Sequence, residues 1–81
     1  MNIANTAASI VTNPSAHPVV RNVINPSRFS DIIQFSSEPE LRGVAQQLHG
    51  ALKEFGGIRN EVHDMLVQRI RSVRQTIALL S

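Results

Sequence analysis

EPELRGVAQQLHGALKEFGGIRNEVHDMLVQRIRSVRQTIALLS, residues 38–81, carries the main structural signal of this chain. Within it, apolar side chains recur at Leu41, Val44, Leu48, Leu52, Phe55, Ile58, Val62, Leu66, Ile70, Val73, Ile77 and Leu80. The steps are three or four residues, a period of about 3.5, which is the signature of one face of an α-helix. An unbroken helix over this stretch would be roughly 60 Å long at ~1.5 Å per residue. Such a rod has nothing of its own to cover the stripe, so the sequence predicts a chain that needs neighbours.

The start of that helix is written into the residues before it. Ser37 with Glu40 three positions later forms a capping box, and Pro39 sits in the first turn, where its missing N–H costs nothing. Glu38 and Glu40 put negative charge at the positive end of the helix dipole, and Glu38 is spaced to pair with Arg42 one turn on. Gly56-Gly57 interrupts the pattern in composition but not in phase. Two interior glycines cost ~1 kcal/mol each relative to alanine and leave two readings open. One is a single helix over 39–81, kinked at the pair; the other is a break into two helices. The apolar phase runs through from Leu52 and Phe55 to Ile58 and Val62, and a two-residue link is tight for a helical hairpin. The expectation is therefore one long helix.

Upstream, residues 25–35 read as a short helix. Asn25 can cap it, Pro26 suits its first position, and Phe29, Ile32 and Ile33 share a face. Residues 36–38 connect it to the long helix. Residues 1–24 are rich in Asn, Ser, Thr and Ala and are interrupted by Pro14 and Pro18, each biasing its predecessor toward extended backbone. They are expected to form an extended polar arm. The predicted fold is all-α: arm, short helix and long amphipathic helix, ordered by helical assembly.

Composition narrows the function. With no Cys there is no disulfide framework and no thiolate chemistry. His17, His49 and His63 stand far apart without clustered carboxylates, so no metal or other cofactor is expected. No phosphate-binding glycine loop, paired nucleophile and base, or small-molecule site is apparent, and the chain is read as non-enzymatic. Three Phe with no Trp or Tyr look too few for a compact core of its own. Eight Lys or Arg against six Asp or Glu give a net charge of +2, a mild excess. No apolar run is long enough to span a membrane, and the N-terminus lacks the pattern of a cleaved signal peptide.

Arg59, Arg69, Arg71 and Arg74 form the main basic concentration. Without interleaved aromatics they make a poor single-strand nucleic-acid platform, and cations near a helix C-terminus already favour its dipole. The apolar surface widens toward the end through Met65, Leu66, Val67, Ile70, Val73, Ile77, Ala78, Leu79 and Leu80. A helix apolar over a wide arc touches more than one neighbour.

Pro39-Glu40-Leu41, Gln46 and Leu48, the aromatic Phe55, then Val62, Met65, Gln68, Ile70 and Val73, and the ending Thr76-Ile77-Ala78-Leu79-Leu80-Ser81 together carry a resemblance. The chain resembles the inner rod and needle subunits of bacterial type III secretion systems. It lacks the Pro-x-x-Pro connection of needle subunits, which tilts the resemblance toward the inner rod.

The resemblance implies a polymerising structural subunit made in the cytoplasm and exported without a cleaved signal peptide. Its implied partners are copies of itself and the export-gate and needle proteins of an envelope apparatus. On this reading the stripe from Leu41 to Leu80 packs subunits together. Phe29, Ile32 and Ile33 dock the short helix on a neighbour, and Arg71, Arg74 and Gln75 face a lumen. Two alternatives remain open: a small helical adaptor or cochaperone in a discrete coiled-coil complex, and a basic amphipathic binder of nucleic acid or membrane surfaces.

Overall fold

Ser37 starts the main helix as its spacing requires. In a computed structural model describing residues 10, 11 and 13–81, its hydroxyl accepts from the Glu40 amide at 3.3 Å. Its own amide donates to Glu40 Oε1 at 2.8 Å. These two bonds satisfy amides that the first helical turn leaves without partners. The Ser37 amide, and then its hydroxyl, hold the Glu40 carboxyl below its ordinary value. One turn on, Arg42 Nε and Nη2 donate to Glu38 Oε2 at 3.0 and 2.6 Å. This exposed pair adds only a few tenths of a kcal/mol, about 0.3–0.5, because water screens it.

The structure is all-helical among the described residues, with four α-helices: α1 (Pro18–Ile24), α2 (Pro26–Phe35), α3 (Glu38–Lys53) and α4 (Glu61–Leu80). A short 3₁₀ turn, Pro14–Ala16, precedes α1. The single helix expected over 39–81 is thus two helices. The amides of Glu54, Phe55 and Gly56 each bond back three residues, tightening the last turn of α3. Gly56 and Gly57 then take φ of +58° and +93°, the region that side chains disfavour, and the chain reverses. Asn60 restarts it, its side chain accepting from the His63 amide at 2.9 Å. The linker is therefore residues 54–60 rather than two glycines, which removes the objection that the turn is too tight. Seven residues are also about two helical turns, so an apolar phase crosses the gap unchanged whether or not the helix does.

Folded back, α3 and α4 cover each other's stripes. Leu41, Leu48 and Ala51 from α3, Phe55 from the turn, and Leu66, Ile70 and Val73 from α4 are buried. Val44, Leu52, Val62 and Ile77 are partly buried against them. The expectation that the stripe needs neighbours is corrected: most of it is satisfied within one chain. Phe55 and aliphatic side chains from five segments suffice for a small core, so the scarcity of aromatics is no obstacle. The molecule is 44 Å long and 20 Å across, shorter than the rod that one continuous helix would make.

Within the arm expected over 1–24, one segment departs from extended backbone. Residues 1–9 and 12 lie outside the described residues, but 18–24 are helical. His17 has extended backbone and Pro18 opens α1 at the position where proline is tolerated. Val19, Val20 and Val23 recur at helical spacing and are buried, joined in the core by Ile10. At Asn25 the backbone is again extended before proline; its Oδ1 accepts from the Ser27 and Arg28 amides at 2.9 and 3.1 Å, starting α2 as expected. Phe29 is buried and Ile32 and Ile33 are partly buried, all against this chain's own core. The surface expected to receive α2 from a neighbour is supplied internally.

One polar contact ties the two halves. Arg69 Nε of α4 donates to the Val23 carbonyl at 2.8 Å, and its guanidinium carbon lies 4.7 Å from the centre of the Phe29 ring. The carbonyl belongs to the last turn of α1, where no intrahelical donor reaches it. A single side chain thus joins α4 to both N-terminal helices, through a hydrogen bond and a cation–π contact.

Candidate association surface

The helices position three kinds of surface residue. The first is the apolar remainder. Phe35 at the end of α2 is 78% exposed, Ile58 in the turn 49%, and Leu79 and Leu80 at the end of α4 86% and 53%. Of the stripe residues expected to pack subunits, Ile58 and Leu80 are therefore the exposed ones. Isolated exposed leucines are ordinary, but two in succession beyond a closed core leave an apolar end to α4.

The second is the basic face of α4. Arg71, Arg74 and Gln75, expected to face a lumen, are all exposed. Neither Arg71 nor Arg74 has an ion-pair partner among the described residues. They are separated in role from Arg69, which the sequence groups with them and the fold turns inward. Charge clustering alone does not distinguish these arginines; their helical angle relative to Ile70 and Val73 does.

The third is a groove of about 360 Å³ between α3 and α4, at the end of the hairpin away from the glycine turn. Arg42, Gln46 and His49 from α3 and Arg74 from α4 form its polar edges, with Ala45, Ile77 and Ala78 supplying apolar lining. The small Ala45 and Ala78 leave the space open. Sequence reasoning did not bring these residues together, although Arg42, Gln46 and His49 at i, i+4 and i+7 share one face of a helix. What was missing was the reversal at Gly56-Gly57 that sets Arg74 opposite them.

His63 belongs elsewhere. Its ring meets Phe55 edge-on at 5.7 Å with Nδ1 3.2 Å from Asp64 Oδ1, which places it in the packing around the turn. His49 instead lies at the edge of the groove. Among the described residues, no group of three or more His, Asp or Glu is arranged to hold a metal ion. No helix among them is long and apolar enough to cross a membrane. Compared with known proteins, the chain matches no family model, no curated protein and no solved structure.

Proposed function

We propose that this chain is a structural subunit acting by association, of the kind it resembles: a self-assembling part of a protein-secretion conduit, the inner rod between an export gate and a needle. The observation that carries the reading is the open apolar end of α4, where Leu79 and Leu80 extend beyond a core already closed by Leu41, Leu66 and Val73. Such an end gains by being covered, at about 25 cal/mol for each Å² of apolar surface removed from water. Copies of the chain, with export-gate and needle proteins, are the proposed partners. On the same reading the protein is made in the cytoplasm and exported without a cleaved signal, and Arg71 and Gln75 turn toward the lumen while Arg74 lines the α3–α4 groove.

Sedimentation velocity over a wide concentration range tests this reading. The full chain is expected to form larger species as concentration rises, and a chain ending at Ala78 to stay monomeric. A full chain that remains a monomer throughout overturns self-assembly. The burial of Leu48, Leu66 and Ile70 within one chain favours a second reading, a folded adaptor or cochaperone that joins a discrete complex. That reading expects growth to stop at one fixed stoichiometry.

A further inference from the structure

The outer face of α2 and the α3–α4 groove are complementary surfaces that one chain leaves unmatched. Asp31 and Phe35 lie four residues apart, hence on the same side of α2. Both are exposed, and Asp31 has no ion-pair partner among the described residues. The groove offers the opposite features: Arg74 on one wall, Arg42, Gln46 and His49 on the other, and Ala45, Ile77 and Ala78 between them. Its volume, about 360 Å³, is at the small end of ligand-sized clefts, ~300–1,000 Å³, and suits a single inserted side chain with its neighbours. Arg42 is already engaged by Glu38, whereas Arg74 has no ion-pair partner among the described residues and can receive a carboxylate.

We infer that α2 of one copy docks in the α3–α4 groove of another, with Phe35 over Ala45, Ile77 and Ala78 and Asp31 against Arg74. The inference rests on the reading of the chain as a self-assembling subunit and names the contact that builds the assembly. Face and groove are different surfaces, so the contact is head-to-tail. Contacts of that kind propagate, either closing into a ring or running on as a helical filament. A second copy is a better occupant than a generic acidic helix because this chain itself presents an exposed carboxylate and an exposed aromatic ring on one side of α2, opposite in charge to Arg74. The aromatic supplies buried area, while the charge pair sets register and excludes wrong partners.

The test uses charge exchange in the full chain. Asp31→Arg and Arg74→Asp are each expected to stay folded by circular dichroism, since both positions are exposed. Each is also expected to raise the concentration of half-assembly by about tenfold or more. Mixed in equal amounts, the two variants are expected to recover assembly, because each face then meets a groove of opposite charge. Phe35→Ser supplies an independent disruption that leaves every charge in place. Variants that assemble like the wild type overturn this contact while leaving self-assembly standing. Single variants that fail and do not recover on mixing overturn the pairing of Asp31 with Arg74. A wild-type chain that never assembles removes the underlying reading, and this contact with it.

Discussion

In the α3–α4 hairpin, two helices with matched apolar stripes are joined by residues 54–60, so packing one against the other orders little intervening chain. In the α1–α2 pair, Val20, Val23 and Phe29 reach the same core, but the polar tie from Val23 to Arg69 spans 46 residues. Closing a longer segment costs more entropy, though the cost grows only as the logarithm of its length. The hairpin also has its own start and stop signals in Ser37, Asn60 and the two glycines. The N-terminal pair has good starts at Pro18 and Asn25 but helices of seven and ten residues, too short to persist without a surface to lie on. The comparison teaches a dependence in one direction: the hairpin is the platform, and α1–α2 is held to it.

The most severe way to break that relation is to remove the platform. Leu66 is fully buried within the cluster that all the helices share. Leu66→Ala is expected to destabilise the protein by about 2–5 kcal/mol, the usual cost of a leucine-sized cavity. That is a large part of the ~5–15 kcal/mol available to an ordinary domain. Urea unfolding followed by circular dichroism checks the loss, and amide exchange should accelerate in α1 as well as in α3 and α4. Continued protection of α1 after the hairpin opens would contradict the dependence.

A narrower change separates the two regions. Arg69→Ala removes the donor to the Val23 carbonyl and the cation above Phe29, at an expected cost of about 1–3 kcal/mol. Local opening need not involve the whole molecule. Amides of 18–24 are therefore expected to lose about ten- to a hundredfold protection, each factor of ten being ~1.4 kcal/mol, while those around Leu48 and Leu66 stay slow. Equal acceleration in all four helices would mean that α1–α2 and the hairpin open as one unit.

The same contrast explains what could be read from the residues alone. Start signals for α2 and α3 are local, and Asn25 and Ser37 act as their chemistry requires. The apolar stripe identifies the inward faces of α3 and α4 correctly but not what covers them, because periodicity describes one helix and not its partner. A gap of two helical turns preserves phase, so the stripe could not locate the reversal. The positive φ values of Gly56 and Gly57 are the physical signature of that reversal, and glycine composition only permits them. In α1, Pro18 has the local character of a breaker, whereas the valines following at helical spacing make it a first residue. Arg69 joins the core through a carbonyl 46 positions away, which no local pattern encodes, and the groove near Arg74 exists only once the hairpin has formed.

The smallest expected effect lies at the hairpin's capping box and belongs to one region alone. The Ser37 amide and hydroxyl bind the Glu40 carboxylate better than its neutral form, so the folded group titrates below its ordinary value of 4.5. Its charge therefore adds stability that is present above 4.5 and lost as pH falls through the lower folded value. Glu40→Gln keeps an oxygen able to accept from the Ser37 amide but removes the charge facing the helix N-terminus. At neutral pH the variant should melt slightly below the wild type. As pH falls, protonation makes Glu40 equally neutral, so the two melting curves should converge. Other carboxylates, including Glu38 beside Arg42, are common to both chains and drop out of the difference. A gap that stays constant from neutral to acid pH would assign the cost to the shape of the amide rather than to charge. Convergence would place a distinct acid-sensitive element at the start of α3, one the α1–α2 pair lacks, because the caps of α1 and α2 carry no acid in their first turns.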